Sequence, residues 1–224
     1  MINFRTVKQT LFVVLVLFIT GCGPTADFVA EDYKQPNNLA VLPVINNTVD
    51  MKAGEVLRSV SYVNLYNYQY AEMLEIAKTD SLLREFGITD GGQLASVDID
   101  EIYDVLKSDG LLVIELKDAR YGTAGAKREN RILHADYTLY SNGKEIYAHD
   151  VKVEKKSSTL VGGLLGAAMD PVGALTDRAV DTAVKGLRGI IMEHELLPEM
   201  DENFNEVIQT LPGEIERRSR SERI

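Results

Sequence analysis

The chain contains three histidines, one cysteine and no tryptophan, so the chemistry open to its side chains is quickly bounded. His134 and Asp136 stand two apart in RILHADYTLYS, and His149-Asp150 follow in KEIYAHDVKV. Both segments alternate apolar and polar residues, and Ser141-Asn142-Gly143-Lys144 joins them; an Asn-Gly pair between alternating runs is the strongest short-range hairpin signal. A two-residue turn at Asn142-Gly143 would set Tyr137 opposite Ala148 and Asp136 opposite His149. Such a pair could serve acid-base chemistry or contribute to a metal site. A cross-strand Asp-His pair on a solvated face has the same signature, so no metal ligand and no catalytic residue is assigned. Glu193-His194-Glu195 lacks the second histidine at helical spacing that a zinc site needs and reads as a solvated helix cap. Asp98, Asp100, Glu101 and Asp104 lack the central glycine and terminal glutamate of a calcium loop and read as a charged helix face. Neither a G-x-S-x-G elbow nor a G-x-x-x-x-G-K-[ST] loop is present, so the residues point to no enzyme and no cofactor.

Cys22 is the residue whose setting is chemically specific. The first ten residues, MINFRTVKQT, carry Arg5 and Lys8 and no acid, and the apolar run LFVVLVLFIT follows from Leu11 to Thr20. That is the order of a secretory signal, and the run is about half the ~20 residues a bilayer-crossing helix needs. Ile19-Thr20-Gly21-Cys22 resembles the lipobox of bacterial lipoproteins. The resemblance implies cleavage after Gly21, diacylglycerol on the Cys22 thiol and a further acyl chain on the new amino group. Gly23 stands where an aspartate would resemble an inner-membrane retention signal, which implies an outer-membrane anchor with the domain in the periplasm. With its single cysteine acylated, the mature domain has no thiol for a disulfide and must rely on its apolar core.

Removing residues 1–21 leaves 203 of the 224, enough for one sizeable domain. A hydrophobic content of 45% and a charged fraction of 26% belong to a globular protein rather than a disordered one. The formal net charge of −10 becomes −12 once Arg5 and Lys8 are lost. So acidic a surface repels nucleic acid and anionic headgroups; attachment falls to the acyl chains, at ~0.8 kcal/mol per buried methylene.

The elements that must position these groups follow from the pattern. Residues 22–38, polar and with two prolines, read as a lipidated tether. An α/β domain over 39–197 opens with LAVLPVI, a run without polar alternation that suggests a strand buried on both faces. Val56, Leu57, Val60, Val63 and Leu65 give a helical stripe within 54–65. The alternation of Tyr66, Tyr68 and Tyr70 favours a strand over 66–74, a prolonged helix being the competing reading. Thr79-Asp80-Ser81 with Gly87 frames a short helix, and Asp98 to Ser108 another. Three strands follow from Leu111, with Ile132, Tyr137, Leu139, Ile146 and Val151 as inward-facing candidates. The glycine-rich stretch around Gly162, Gly163, Leu164, Leu165 and Gly166 is either an apolar lip that meets a membrane or partner, or a buried loop. A helix with small residues on one face follows over 175–190, and 198–224 is a charged tail, loosely attached or disordered. The order of elements implies an α/β or α+β domain with a mixed sheet of about five strands.

These segments resemble a family of bacterial lipoproteins known as a domain of unknown function, often encoded beside a lipoprotein similar to the curli secretion pore. The resemblance rests on the lipobox at Cys22, LAVLPVINNT, the strand after Asp109-Gly110, the hairpin before residue 153, and GGLLG followed by Leu175-Thr176-Asp177-Arg178-Ala179. It implies the fold of the N-terminal domain of the Tol β-propeller protein, which also occurs in lipoprotein activators of peptidoglycan synthases. It further implies a domain that binds envelope proteins, with a curli-pore-like lipoprotein among the candidate partners. Two other functions compete: a ring-forming, homo-oligomeric subunit of a secretion pore, and an enzyme built on Asp136 and His149.

Overall fold

The computed structural model describes residues 24–124, 128–156, 194–213 and 215. Cys22, the Gly162–Gly166 run and the helix expected over 175–190 lie outside these residues.

The fold is α+β, with helices on both faces of a mixed sheet of seven strands. β1 is Phe28–Val29, β2 Asn38–Val41, β3 Ile45–Asn46, β4 Glu72–Met73, β5 Gly110–Ala124, β6 Arg128–Ser141 and β7 Lys144–Lys156. The strand order is β1-β7-β6-β5-β2-β4, and β3 also pairs with β5. The two strands beyond the expected five are β1 and β3, pairings of two residues each that leave no mark on hydrophobic periodicity. β2 runs parallel to both β5 and β4, and Leu39, Ala40, Val41 and the following Leu42 are buried, as a strand covered on both faces requires. β5, β6 and β7 form an antiparallel meander. Asn142 and Gly143 both take positive φ, 49° and 75°, at the turn between β6 and β7, which is why that pair closes a hairpin.

Helix α1 spans Met51–Asn67 and starts at Asp50, whose Oδ1 accepts from the Lys52 and Ala53 amides. It is buried nearly all round, so its serines must be satisfied internally: Ser59 and Ser61 donate to the Glu55 and Leu57 carbonyls one turn back. Arg58, also buried, spends Nε and Nη2 on the Val41 carbonyl at the end of β2 and Nη1 on Asp80 at 2.7 Å. Burial pulls its guanidinium below the usual arginine range, and Asp80 opposes that.

The strand expected over 66–74 is corrected. The helix continues to Asn67, Gln69 turns the chain through a left-handed conformation, and only Glu72–Met73 pairs in the sheet. Tertiary packing overrides the tyrosine alternation here. Tyr70 is buried, its hydroxyl bonded to that of Tyr33 and its carbonyl to the Gln35 side chain.

α2 spans Ile76–Phe86 and ends on Gly87 at φ 100°, a left-handed C-terminal glycine. It starts before Thr79-Asp80-Ser81 because that aspartate is committed to Arg58 and does not cap. After a 3₁₀ turn at Gly91–Ser96, α3 spans Ile99–Leu106, capped by the Asp98 carboxylate, with Asp100 and Glu101 in the first turn where the helix dipole favours acids. α2 and α3 cover one face of the sheet at Ala40, Leu42 and Leu111.

The opposite face is covered by α1 and by α4, Leu197–Thr210, which corrects the reading of the tail as loosely attached over these residues; 214 and 216–224 lie outside the described residues. Met200, Phe204 and Val207 are fully buried among Leu133, Tyr137, Tyr147 and Val151. The polar residues that disguise this helix are paired: Asn203 accepts from the Tyr137 hydroxyl at 2.6 Å and donates to the Val151 carbonyl at 2.8 Å. The presumed tether is likewise shorter than 22–38, because Phe28–Val29 pair with Ala148 and Tyr147 on β7, and Tyr33 packs on the core.

Candidate functional site

Two one-residue irregularities in the meander decide which side chains meet. In β7, Ile146 has no partner: Tyr140 pairs with Glu145 but Leu139 pairs with Tyr147. Every later pair is displaced by one from a straight hairpin, so Asp136 lies opposite Asp150 and Tyr137 opposite His149. A one-residue slip moves each side chain to the other face of the sheet. The Asp136-His149 pair expected from the sequence therefore does not form, and the enzyme reading built on it loses its geometry. In β5 the pairing shifts between Leu116 and Asp118, which lets Lys117 and Asp118 both serve the face opposite Leu116.

Four titratable groups converge on that face. The Lys117 ammonium bridges Asp136 and Asp150, lying 2.9 Å from Asp150 Oδ2, and His134 Nε2 lies 2.7 and 2.9 Å from the two Asp150 oxygens. Two carboxylates directly opposite each other repel, and their acidities separate. Burial and then the neighbouring Asp150 carboxylate raise Asp136. For Asp150 burial acts upward, but hydrogen bonds with Asp136, Lys117 and His134 outweigh it and hold the group down at about 2. Carboxylates driven apart in this way are the raw material of acid-base catalysis. Here they lie on a solvent-reached sheet face with a lysine already between them. His134, Asp136 and Asp150 offer ligand atoms within 4.8 Å of one another, but the Lys117 ammonium takes the place a cation would fill. The group is a charge cluster in which one ammonium lies between two carboxylates, flanked by Arg120 on Asp118 and Lys152 near Glu154.

The other two histidines are fasteners. His149, turned inward by the bulge, sets Nδ1 3.1 Å from Asp27, while Asp27 Oδ2 accepts the Asp150 amide at 2.6 Å. That amide bond first, and His149 second, hold the Asp27 carboxyl below its ordinary range. β1 is thus fixed to the edge of the sheet two ways. His194 has a buried side chain and is no solvated cap. Its Nδ1 accepts the Leu196 amide, which places the proton on Nε2 for donation to Asp50 Oδ2 at 3.0 Å, and its ring meets Tyr121 edge-on at 5.8 Å. One carboxylate therefore caps α1 and anchors the entry to α4. The sequence reading missed Lys117 and Asp50; a basic residue amid strand alternation is an ordinary surface residue in sequence, and no local signal marks the bulge. Lipidation at Cys22 and a contact at Gly162–Gly166 fall outside the described residues.

A family model matches residues 26–196, and the chain belongs to the GNA1162-like lipoprotein family. Among solved structures it is similar to lipoprotein GNA1162 from Neisseria meningitidis, at 18% identity over 55% of this chain and 85% of that one, with a TM-score of 0.48. It is also similar to a PelC dodecamer subunit from Paraburkholderia phytofirmans, at 15% identity over 58% and 77% with a TM-score of 0.38. The C-terminal domain of LpoB from Salmonella enterica matches at 16% identity over 56% and 88%, TM-score 0.38. No curated protein matches the chain. Among the described residues no helix is long and apolar enough to cross a membrane.

Proposed function

We propose that the protein is an outer-membrane lipoprotein, anchored through acylated Cys22, whose periplasmic domain binds protein partners in an envelope or secretion assembly and performs no catalysis. The observation that carries this reading is the docking of Phe28–Val29 on β7, six residues after Cys22, locked by Asp27 to His149 and to the Asp150 amide. A lipid at Cys22 would leave the domain from that sheet edge on a short leash, holding the domain close to the bilayer in a restricted orientation. The two carboxylates on the adjoining face are already bridged by Lys117, as suits a contact surface more than a reaction centre. The reading also assigns the Gly162–Gly166 run to contact with a partner or the bilayer.

Two measurements test it. Cys22→Ala should leave an unprocessed precursor or soluble protein, and unchanged fractionation with membranes refutes the anchor. Protein lacking residues 1–22 should crosslink to defined envelope proteins in cell extracts; retrieval of none, together with turnover of a cell-wall substrate, refutes the binding role. Exchanging Leu164 and Leu165 for Asp should reduce that crosslinking or the membrane association.

A further inference from the structure

The end of the sheet where β6 turns into β7 carries a hollow that the fold leaves unfilled. Its volume is about 360 Å³, and it is lined by Asp100, Tyr103, Asp104, Ser108, Asp109 and the Asn142-Gly143 turn. That volume is at the lower end of the range for small-ligand sites and suits a side chain rather than a polymer. The turn is fitted to helix α3: a Cβ on Gly143 would fall 2.2 Å from Asp100 Oδ1, so the carboxylate lies directly over the glycine.

One hydroxyl in this hollow lacks a partner among the described residues. Ser108 is 7% exposed, yet its Oγ makes no hydrogen bond there, whereas the Tyr103 hydroxyl beside it takes the Gly143 amide of the turn. Buried hydroxyls are nearly always bonded, so an unpaired one next to a hollow marks a position where a ligand atom is missing. The charge around Ser108 selects the ligand. Asp100, Asp104 and Asp109 are all acids. Asp109 has spent its oxygens on the Asn37 and Asn38 amides and contributes negative potential only. Asp100 Oδ1 accepts no bond beyond its contact with the turn, and Asp104 meets only Lys107 at 3.9 Å, with both side chains in water. Such a site offers acceptors and repels anions. A guanidinium has five donors in a fixed fork and no acceptor, and is weakly hydrated, so it matches better than an ammonium.

We propose that this notch binds an arginine side chain presented by a protein partner. The inference rests on the reading of the domain as a protein-binding module and names one contact of that surface. The guanidinium pairs with Asp100 and Asp104 at the rim and donates to Ser108 Oγ within.

The test titrates ¹⁵N-labelled protein comprising residues 23–224 with N-acetyl-arginine methylamide and, in parallel, with the lysine analogue. Saturable shifts at the Ser108, Asn142 and Gly143 amides are expected, with the arginine compound several-fold tighter. The D100N/D104N variant should weaken binding at least fivefold, and Ser108→Ala, which removes only an unpaired hydroxyl and leaves the fold intact, about twofold to threefold. Absence of saturable shifts at these amides, or equal binding by the variants, overturns the proposal. Binding seen only after removal of residues 216–224, which carry four arginines, assigns the notch to this chain's own segment and overturns the partner. In crosslinking with envelope extracts, wild-type capture lost in D100N/D104N supports the inference. Capture equal to wild type overturns it while leaving the binding role standing, whereas no capture by the wild type overturns both.

Discussion

Phe204→Ala measures whether α4 is a core helix or an appendage. Phe204 is fully buried, its ring 5.4 Å from that of Tyr137 and inclined at 66°, on a helix that also buries Met200 and Val207. Truncating a buried phenylalanine to alanine costs about 3–5 kcal/mol, the transfer of the lost ring plus the cavity it leaves. Against a total stability of about 5–15 kcal/mol this is a large fraction. With a urea slope of about 2–3 kcal/mol/M for a domain of this size, the unfolding midpoint should fall by about 1–2 M at unchanged slope. The assay is urea denaturation of protein lacking residues 1–22, followed by circular dichroism. Glu202→Ala, on the same helix but facing Lys155 in solvent, supplies the control and should change stability by less than about 1 kcal/mol. A loss below about 1 kcal/mol for Phe204→Ala, or equal losses for the two variants, would refute the docking of α4 in the core.

Two further outcomes follow from buried and half-buried carboxylates. Glu199 is 2% exposed and holds Arg131 by two parallel bonds of 2.9 and 3.0 Å, while Arg131 is 25% exposed. Arg131→Ala leaves the buried Glu199 charge with only a 3.9 Å contact to Lys155 and should cost about 3 kcal/mol, whereas Glu199→Ala leaves a guanidinium that water can reach and should cost about 1 kcal/mol; equal thermal shifts would contradict this ordering. Asp109 sits below its ordinary value because the Asn37 and Asn38 amides outweigh the upward effect of burial. A carboxyl depressed in the fold contributes stability in full above its unfolded value of about 3.9, and that contribution disappears as pH falls through the folded value. Denaturation midpoints should therefore be level from pH 7 to 5 and decline below about 4, with a shallower decline in Asp109→Asn. Asp136, held above its ordinary value, acts in the opposite sense and is untouched by that exchange. Identical acid slopes would sink the assignment.

Much of the scaffold was legible in the sequence because its signals are local. The buried strand at Leu39, the Asn-Gly hairpin, the glycine ending α2 and the Asp98 cap each depend on a few adjacent residues. What escaped was decided by distant partners. Met200, Phe204, Val207 and Ile208 do follow a helical period, but Glu199 and Asn203 sit among them, and only Arg131, Tyr137 and the Val151 carbonyl make those polar groups compatible with a core. Tyr70 stops a strand because Tyr33 and Gln35 hold it, and Asp80 fails to cap because Arg58 takes it. The charge cluster and the arginine notch were invisible for the same reason: Lys117, Asp150 and Ser108 are unremarkable residues until strand register and helix docking bring them together.

The register carries the larger consequence. With Ile146 paired, His149 would stand beside Asp136 on the solvent-reached face, as the sequence spacing suggests, and nothing on the covered side would receive Asp27. The single unpaired residue turns the imidazole inward, where it meets the segment that follows Cys22. It also leaves Asp136 facing Asp150, a repulsive pair that needs Lys117, and Lys117 is delivered by a second irregularity in β5. The two bulges compensate one another: one fastens the N-terminal strand and creates a like-charge clash on the far face, and the other supplies the cation that relieves it. Deleting Ile146 should therefore disturb both at once, freeing Phe28–Val29 for proteolysis and separating Lys117 from Asp150, whereas a variant that affects only one of them would show the bulges to be independent.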